Sequence, residues 1–342
     1  MPGERSGDAD PFPPELDAFV GGIEGAGHRP GSVSAKRLTG GVSSEIWKVT
    51  TDVGTLCVKR ALPRLKVAEV WEAPVERNRY EARWYSVANA IVPGCAPQVL
   101  AEDDKIGAFA MSYFATDDHP VWKAELMSGR IDPTSAAAVG RIIGRLHAGT
   151  ANSSWIASRF DTDALFEALR LSPYLRFMTE QHPDLAAPLS TLADGTAATH
   201  MALVHGDLSP KNILIGPDGP VILDAECAWY GDPAFDPAFC LTHLMLKGLW
   251  RRQQAQDYRN CFEAFWGGYL AQVDWEDAAS IAGRAAALLP AIVLARVDGK
   301  SPVEYLDPSS DAEYVRTFCK PRIATVEHDP LRIAADWYGG LA

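Results

Sequence analysis

Apolar and polar positions change period several times along the chain. Residues 33–38, 45–50 and 55–59 are short β-like runs, the last two parted by the turn signal Asp52-Val53-Gly54, and together they predict a three-stranded meander. A short helix over residues 16–23 precedes them. Around Tyr80, Trp84 and Val87 the spacing becomes three to four, so the segment from Val75 to about Val87 reads as an amphipathic helix. Strand-like runs return at Val99-Leu100 and over residues 107–114. Asp132-Pro133 then marks a helix start, with a carboxylate at the cap and proline at the first helical position, and Val139, Ile142, Ile143 and Leu146 supply its apolar face. The runs Ile213, Leu214, Ile215 and Val221, Ile222, Leu223 flank Gly216-Pro217-Asp218-Gly219-Pro220, which predicts a hairpin. Beyond it the pattern is helical: residues 239–249, then a stripe of Tyr258, Cys261, Phe262, Phe265, Trp266, Tyr269 and Leu270 that reads as core. The expected class is α+β, with a small β-rich part over residues 15–114 and a larger, mainly helical part over 115–342.

Composition narrows the partners. With 342 residues, 47% of them hydrophobic, the chain can fill a large core in two lobes. A formal net charge of -12 argues against nucleic acid, which needs clustered Lys and Arg. It leaves a cationic small molecule open, since an acidic surface attracts one, although acidity is also a common route to solubility. The six cysteines form no CxxC pair and sit mostly in apolar segments, which suits buried thiols in a reducing compartment and hence the cytoplasm. Residues 1–14 are rich in Pro, Gly and Asp and read as a mobile tail, without the basic-then-apolar order of a signal peptide. The longest apolar stretch, 285–295, is short for a membrane span and contains Pro290, so no membrane partner is expected.

The chemistry concentrates between Leu203 and Asp236. His205-Gly206-Asp207 with Asn212 has the D-x-x-x-x-N spacing of a kinase catalytic loop, in which Asp takes the acceptor hydroxyl proton and Asn holds magnesium. The predicted hairpin returns the chain beside this loop with Asp224 at its far end, so a carboxylate and an amide oxygen can share a hard cation. Glu226, two residues on along an extended end, would point to the same side and add a ligand. Singly, an Asp or Asn before a hairpin is an ordinary turn residue; the combination in this context is not.

HGDLSPKNIL followed by LDAECAWYGDPAFD resembles the aminoglycoside phosphotransferase and choline kinase superfamily, small-molecule relatives of the protein kinases. Asp224-Ala225-Glu226 departs from the Asp-Phe-Gly of protein kinases and resembles the choline kinase and 5-methylthioribose kinase branches; Lys211 stands where aminoglycoside kinases commonly have Gly. The resemblance spans most of residues 33–305 and implies a protein-kinase-like two-lobe fold, ATP or GTP as phosphate donor in the cleft, magnesium, and a small hydroxylated acceptor. It places the nucleotide loop at Gly40, Gly41, Val42, Ser43 and Ser44, the phosphate-binding lysine at Lys59 and its carboxylate partner at Glu81, with Glu76 as the competing choice. It puts the adenine hinge at Met111-Ser112-Tyr113, a supporting histidine at His147 in the LHA helix, and Asp236 behind the catalytic-loop backbone.

The acceptor side carries weaker signals. Trp229 and Tyr230 suit either stacking on a sugar, base or cationic head group or packing beneath the loop. Arg296 suits either a substrate or phosphate contact or a helix-end charge that complements the macrodipole. The expected acceptor is a polyhydroxylated antibiotic of the aminoglycoside or nucleoside kind, inactivated by phosphorylation; the alternatives are a metabolic kinase for methylthioribose, choline or a related alcohol, and a nucleotide-binding pseudokinase. Oligomeric state is open.

Overall fold

The structure is a computed structural model that describes residues 11–27, 33–38, 44–62, 76–325 and 327–341. The described residues fall into two compact units, one within Met1–Ser86 and Pro97–Phe114, the other within Val87–Ala96 and Ala115–Ala342.

The first unit holds α1 (Pro14–Gly21) and one antiparallel sheet of β1 (Ser34–Leu38), β2 (Ser44–Thr51), β3 (Gly54–Ala61), β4 (Val99–Asp103) and β5 (Ala108–Ser112), in the order β1-β2-β3-β5-β4. Period-two alternation divides its side chains. Trp47, Val49, Leu56, Val58, Ala108 and Ala110 join Leu16 and Val20 of α1 in one core cluster. Lys59, next to Val58 in β3 and paired in register with Phe109 of β5, belongs to the opposite face. There the first part of α2 (Arg77–Ile91) packs, with the Tyr85 and Phe109 rings 6.2 Å apart.

The expected apolar stripe of this helix is corrected. Tyr80 and Val87 are only half-buried, whereas Arg77, Asn78, Glu81, Ala82, Trp84 and Tyr85 are buried. Periodicity in apolar residues missed this face because much of it is polar and hydrogen-bonded: Asn78 Nδ2 donates to the Lys59 and Gly107 carbonyls (3.2 and 2.8 Å), and Arg77 donates to the Leu62 carbonyl (2.7 Å).

In the second unit come α3 (Trp122–Ser128), α4 (Pro133–Thr150), α5 (Ser154–Ala157), α6 (Asp163–Phe166), a π-helical stretch (Glu167–Arg176), α7 (Phe177–Gln181) and α8 (Ala186–Ala198). After the catalytic-loop region follow α9 (Phe235–Trp250), α10 (Ala255–Leu270), α11 (Ala278–Asp298), α12 (Ser310–Ala324) and α13 (Pro330–Gly339). Asp132 caps α4 as its sequence suggests, accepting from the Thr134 and Ser135 amides (both 3.0 Å). The helices α4 and α10 approach closely because glycine lines their contact. A Cβ on Gly140 would stand 2.1 Å from the Phe265 carbonyl oxygen, and one on Gly268 2.4 Å from that of Ala137.

The whole of α9 from Phe235 to Leu249 is buried. Its far side is covered by α13, whose Trp337 donates to the Met245 carbonyl (3.0 Å), so the last stretch of chain, left without a role by the sequence, braces the central helix. Against the expectation that nothing reaches spanning length, α11 is long and apolar enough to cross a membrane by length and composition alone. Its Leu288–Ala295 segment is buried within the unit and packs against α9. All six cysteines are buried and free.

Candidate active site

Two small β elements carry the catalytic-loop region. The ribbon of β6 (Ala202–Val204) and β9 (Trp229–Gly231) pairs Leu203 with Tyr230 and Val204 with Trp229. The hairpin of β7 (Ile213–Gly216) and β8 (Gly219–Ile222) pairs Ile213 with Ile222. Between β6 and β7 lies the loop of His205, Gly206, Asp207 and Asn212, and the Leu223 amide donates to the Asn212 carbonyl (2.8 Å), which ties the residue before Asp224 to the loop.

The loop is held from behind. Asp236, at the start of α9, accepts from the backbone N–H groups of His205 (2.7 Å) and Gly206 (2.9 Å). Its carboxylate is fixed in turn by His147 Nε2 (3.2 Å), and His147 Nδ1 lies 3.0 Å from the Tyr269 hydroxyl. His205 is neutral, since burial pushes its pKa below the ordinary value; it accepts from the Asp207 amide at Nδ1 (3.1 Å) and donates from Nε2 to the Leu223 carbonyl (3.0 Å). Gly206 adopts φ +77°, and a Cβ there would stand 2.4 Å from the Cys227 carbonyl oxygen, so only glycine fits.

Asp207 is buried, yet it is charged. Burial raises its pKa, but Arg170, with Nη2 3.1 Å from Oδ1, and Lys211, with Nζ 3.1 Å from Oδ2, outweigh burial and leave the carboxyl below its ordinary value. Asn212 turns its Nδ2 to the Asp207 carbonyl (3.0 Å) and Oδ2 (2.9 Å), which leaves its side-chain oxygen for another partner. The buried Ser209 hydroxyl beside the loop has no hydrogen-bond partner among the described residues. An amide oxygen, a nearby carboxylate and an unsatisfied hydroxyl fit a magnesium ion of the kind that keeps most of its shell for water and phosphate. Asp224 and Glu226 are both half-buried. Asp224 has φ +65°, a left-handed conformation that Asp tolerates better than most residues, and a turn follows at Glu226-Cys227. The extended-end reason for expecting Asp224 and Glu226 on one side therefore does not hold.

In the first unit Lys59 Nζ lies 2.6 Å from Glu81 Oε2, both side chains almost wholly buried, and the Tyr85 hydroxyl donates to Glu81 Oε1 (2.6 Å). Glu76, the competing partner, is exposed. Met111 pairs with Cys57 and Val99 in the sheet, the Ser112 amide donates to the Gln98 carbonyl (2.9 Å), and the Tyr113 ring lies 4.6 Å from Lys48 Nζ. Ser44 is buried at the start of β2; Gly40, Gly41, Val42 and Ser43 lie outside the described residues.

The stacking role for Trp229 and Tyr230 is corrected. Both are buried: Trp229 stacks on Phe166 (4.1 Å) and donates to Asp163 (2.5 Å), while Tyr230 accepts from the Ser153 amide (2.9 Å) and donates to the Met201 carbonyl (3.0 Å). As members of β9 they form the floor of the loop and have no face left for a ligand. Arg296, in the last turn of α11, donates to the Tyr174 hydroxyl (3.1 Å) and to Ser301 Oγ (2.9 Å).

The sequence reading missed Arg170. It lies in the π-helical stretch, donates to the Gly206 carbonyl and, through Nη1, to that of Leu169 (2.7 Å), and stands over the Phe239 ring (5.7 Å). Its signal was faint: an arginine four residues before an aromatic, Tyr174, in a helix interrupted by Pro173, the setting in which π geometry relieves the missing N–H.

A small antiparallel sheet followed by a mainly helical unit bearing an Asp-Asn-Asp loop defines the protein-kinase-like α+β class. Within it, the chain belongs to the phosphotransferase enzyme family (APH), whose model matches residues 34–275. The chain is 24% identical over 285 residues to the methylthioribose kinase of Pectobacterium carotovorum subsp. carotovorum (strain PC1), a match covering 71% of each. Among solved structures it is similar to a choline/ethanolamine kinase family protein from Mesorhizobium loti (TM-score 0.54, 17% identity, 95% of this chain and 98% of that one). The amicoumacin kinase hAmiN is similar too (TM-score 0.56, 15% identity, 89% and 92% of the two chains). The protein is thus a small-molecule kinase with an alcohol group as acceptor.

Proposed function

We propose that this kinase transfers the γ-phosphoryl group of ATP or GTP to a hydroxyl of a polyhydroxylated metabolite, with Asp207 as the base. The observation that carries the proposal is the Asp207 carboxylate, buried but kept ionised by Arg170 and Lys211 and oriented by Asn212. A carboxylate of lowered pKa is a poor base in the ground state; it accepts a hydrogen bond from the acceptor hydroxyl and takes the proton as the new O–P bond forms and the bond to ADP or GDP breaks. Lys211, half-exposed beside Asp207, adds positive charge near the reacting oxygen. The buried Lys59–Glu81 pair is suited to the donor phosphates. Asn212 and Asp224, with Glu226 as a further candidate, would hold magnesium, whose chemistry is to neutralise charge on the phosphates.

The Asp224-Ala225-Glu226 motif and the similarity to methylthioribose kinase favour a metabolic sugar or alcohol over an aminoglycoside or nucleoside antibiotic. Burial of Trp229 and Tyr230 removes the aromatic surface that could have stacked on a sugar, base or cationic head group, and so favours neither class of acceptor. The antibiotic reading keeps one support, the structural likeness to an amicoumacin kinase. A mass-spectrometric screen for phosphorylated products, with ATP and GTP and pooled metabolites and antibiotics, separates the two. Asp207→Asn is expected to lower kcat by about 10²–10⁴-fold with nucleotide binding retained. Near wild-type turnover in that variant would overturn the assignment of the base, and nucleotide binding without any product from the wild type would favour a pseudokinase.

A further inference from the structure

Within the first unit, where the start of α2 meets the turn between β4 and β5, lies a cavity of about 190 Å³ that belongs to none of the groups assigned to phosphoryl transfer. Glu76, Asn78 and Arg79 line it from the helix side, and Glu102, Asp103 and Asp104 from β4 and the turn after it. Its carboxylates are open to solvent: Glu76, Glu102 and Asp104 are exposed and Asp103 is half-buried. Four carboxylates are thus set against the one guanidinium of Arg79. None of the four forms an ion pair among the described residues; Asp103 only accepts from the Lys105 amide (2.9 Å).

Asn78 gives the cavity its floor. It is 4% exposed, and its Nδ2 donates to the Lys59 and Gly107 carbonyls, while its Oδ1 has no hydrogen-bond partner among the described residues. Because the amide is planar, Oδ1 points away from the sheet carbonyls that hold Nδ2, and the cavity that Asn78 lines is where a donor can reach it. A buried carbonyl oxygen without a donor costs free energy, which a bound donor offsets. The local charge is negative as well. Partial desolvation and then Asp104 raise the Glu102 pKa, against the smaller opposing pull of Arg83 and Arg79.

We propose that this cavity binds an aliphatic polyamine, with one ammonium donating to Asn78 Oδ1 and the others to the carboxylates of Glu102 and Asp104 at its mouth. The chemistry selects the class. Apart from Arg79, the polar side chains that line the cavity offer acceptors without partners, and an ammonium brings three donors and a positive charge. A metal ion suits the cavity less, because among the described residues no three histidines, cysteines or carboxylates are grouped to hold one. Ammonium groups parted by methylenes match carboxylates that are spread apart. Resting on the kinase reading above, the site also bears on the donor phosphates. Asn78 ties α2 to the carbonyl of Lys59 in β3 (3.2 Å), and Glu81, one turn further along the same helix, meets Lys59 Nζ at 2.6 Å. A polyamine that holds Asn78 and the turn after β4 together therefore keeps α2 where the Lys59–Glu81 pair needs it, and nucleotide and polyamine each tighten the binding of the other.

The test titrates spermidine into the full chain by calorimetry at fixed ionic strength, with magnesium chloride as the probe of charge alone. The double variant Glu102→Gln with Asp104→Asn is expected to weaken spermidine binding by about tenfold, since two exposed ion pairs are lost. Asp52→Asn with Asp257→Asn removes the same charge from exposed positions elsewhere and is expected to leave spermidine binding unchanged. Saturating spermidine is expected to tighten the binding of magnesium and a non-hydrolysable ATP analogue by about fivefold in the wild type. That gain is expected to vanish in the Glu102 and Asp104 variant, whose affinity for the analogue without spermidine stays at the wild-type value. Wild-type spermidine binding in this variant, or equal losses in both double variants, overturns the inference. So does displacement of spermidine by magnesium chloride at equal ionic strength, which would reduce the effect to screening. Spermidine binding that depends on Glu102 and Asp104 but leaves the analogue affinity unmoved would uphold the amine site and overturn its coupling to Lys59. The same dependence in a chain that binds no nucleotide would uphold the amine site and remove the kinase reading.

Discussion

Arg170 sets the charge on Asp207. A carboxyl this deeply buried would titrate above the ordinary carboxylate range, and two cations at 3.1 Å reverse that. The sign follows directly: with its folded pKa lowered, Asp207 is ionised at neutral pH, its contribution to stability is present above the unfolded value, and it is lost as pH falls through the folded one. In Arg170→Met the largest charge opposing burial is gone and Lys211 is the main one left, so the acid limb of the rate–pH profile is expected to move up by about one unit or more. Steady-state rates between pH 4 and 9 check this, and an unmoved limb would mean that Arg170 only holds the Gly206 carbonyl. His147 is the contrasting case. It touches Asp236 and Tyr269, both buried, and acts through the loop that Asp236 holds.

Elements divide into those that shape the loop and those that hold the unit together, and glycine marks one of each. Gly206 is required by its left-handed φ and by the Cys227 carbonyl beneath it, within the loop itself. Gly140 is required by the approach of α4 to the Phe265 carbonyl of α10, away from the loop. Gly206→Ala is therefore expected to lose most turnover. Gly140→Ala is expected to destabilise the protein by about 1–3 kcal/mol while its rate–pH profile keeps its shape. Urea unfolding and kinetics on both variants separate the two effects; equal losses of turnover and stability in each would contradict the division. The π-helical stretch belongs with the loop, since it delivers Arg170 and Tyr174 one turn apart.

For the whole molecule, the acidic net charge is not spread evenly over every element. A chain of formal charge -12 suggests affinity for cations, yet the face leading from Asp207 along α9 carries Lys247 and Arg296 without carboxylate partners among the described residues. The proposed function assigns one role to Lys59 of the first unit and another to Asn212 and Asp224 of the second. A magnesium–nucleotide complex at 100 times its Kd is expected to stabilise the wild type by about 2.7 kcal/mol. Asp224→Asn should lose the magnesium-dependent part and Lys59→Met most of the total, with Glu226→Gln intermediate if that carboxylate reaches the metal. Calorimetry with and without magnesium reads each contribution, and an unchanged response in Asp224→Asn would remove it from the metal site.

What the sequence determined by itself was local. The spacing from Asp207 to Asn212, the glycine-proline turn that returns Asp224 beside them, the Asp132-Pro133 helix start and the strand that carries Lys59 all follow from bond geometry over a few residues. Tertiary structure alone decided the rest. The family resemblance favoured Glu81 over Glu76 as the partner of Lys59, but the reason lies in the face α2 turns to the sheet, which is set by hydrogen bonds from Arg77 and Asn78 that carry no apolar period. Trp229 and Tyr230 became floor because β9 pairs with β6 beneath the loop. Arg170 reaches the Gly206 carbonyl and Arg296 reaches Tyr174 across 36 and 122 positions of sequence, separations over which packing, and no local propensity, brings polar groups together.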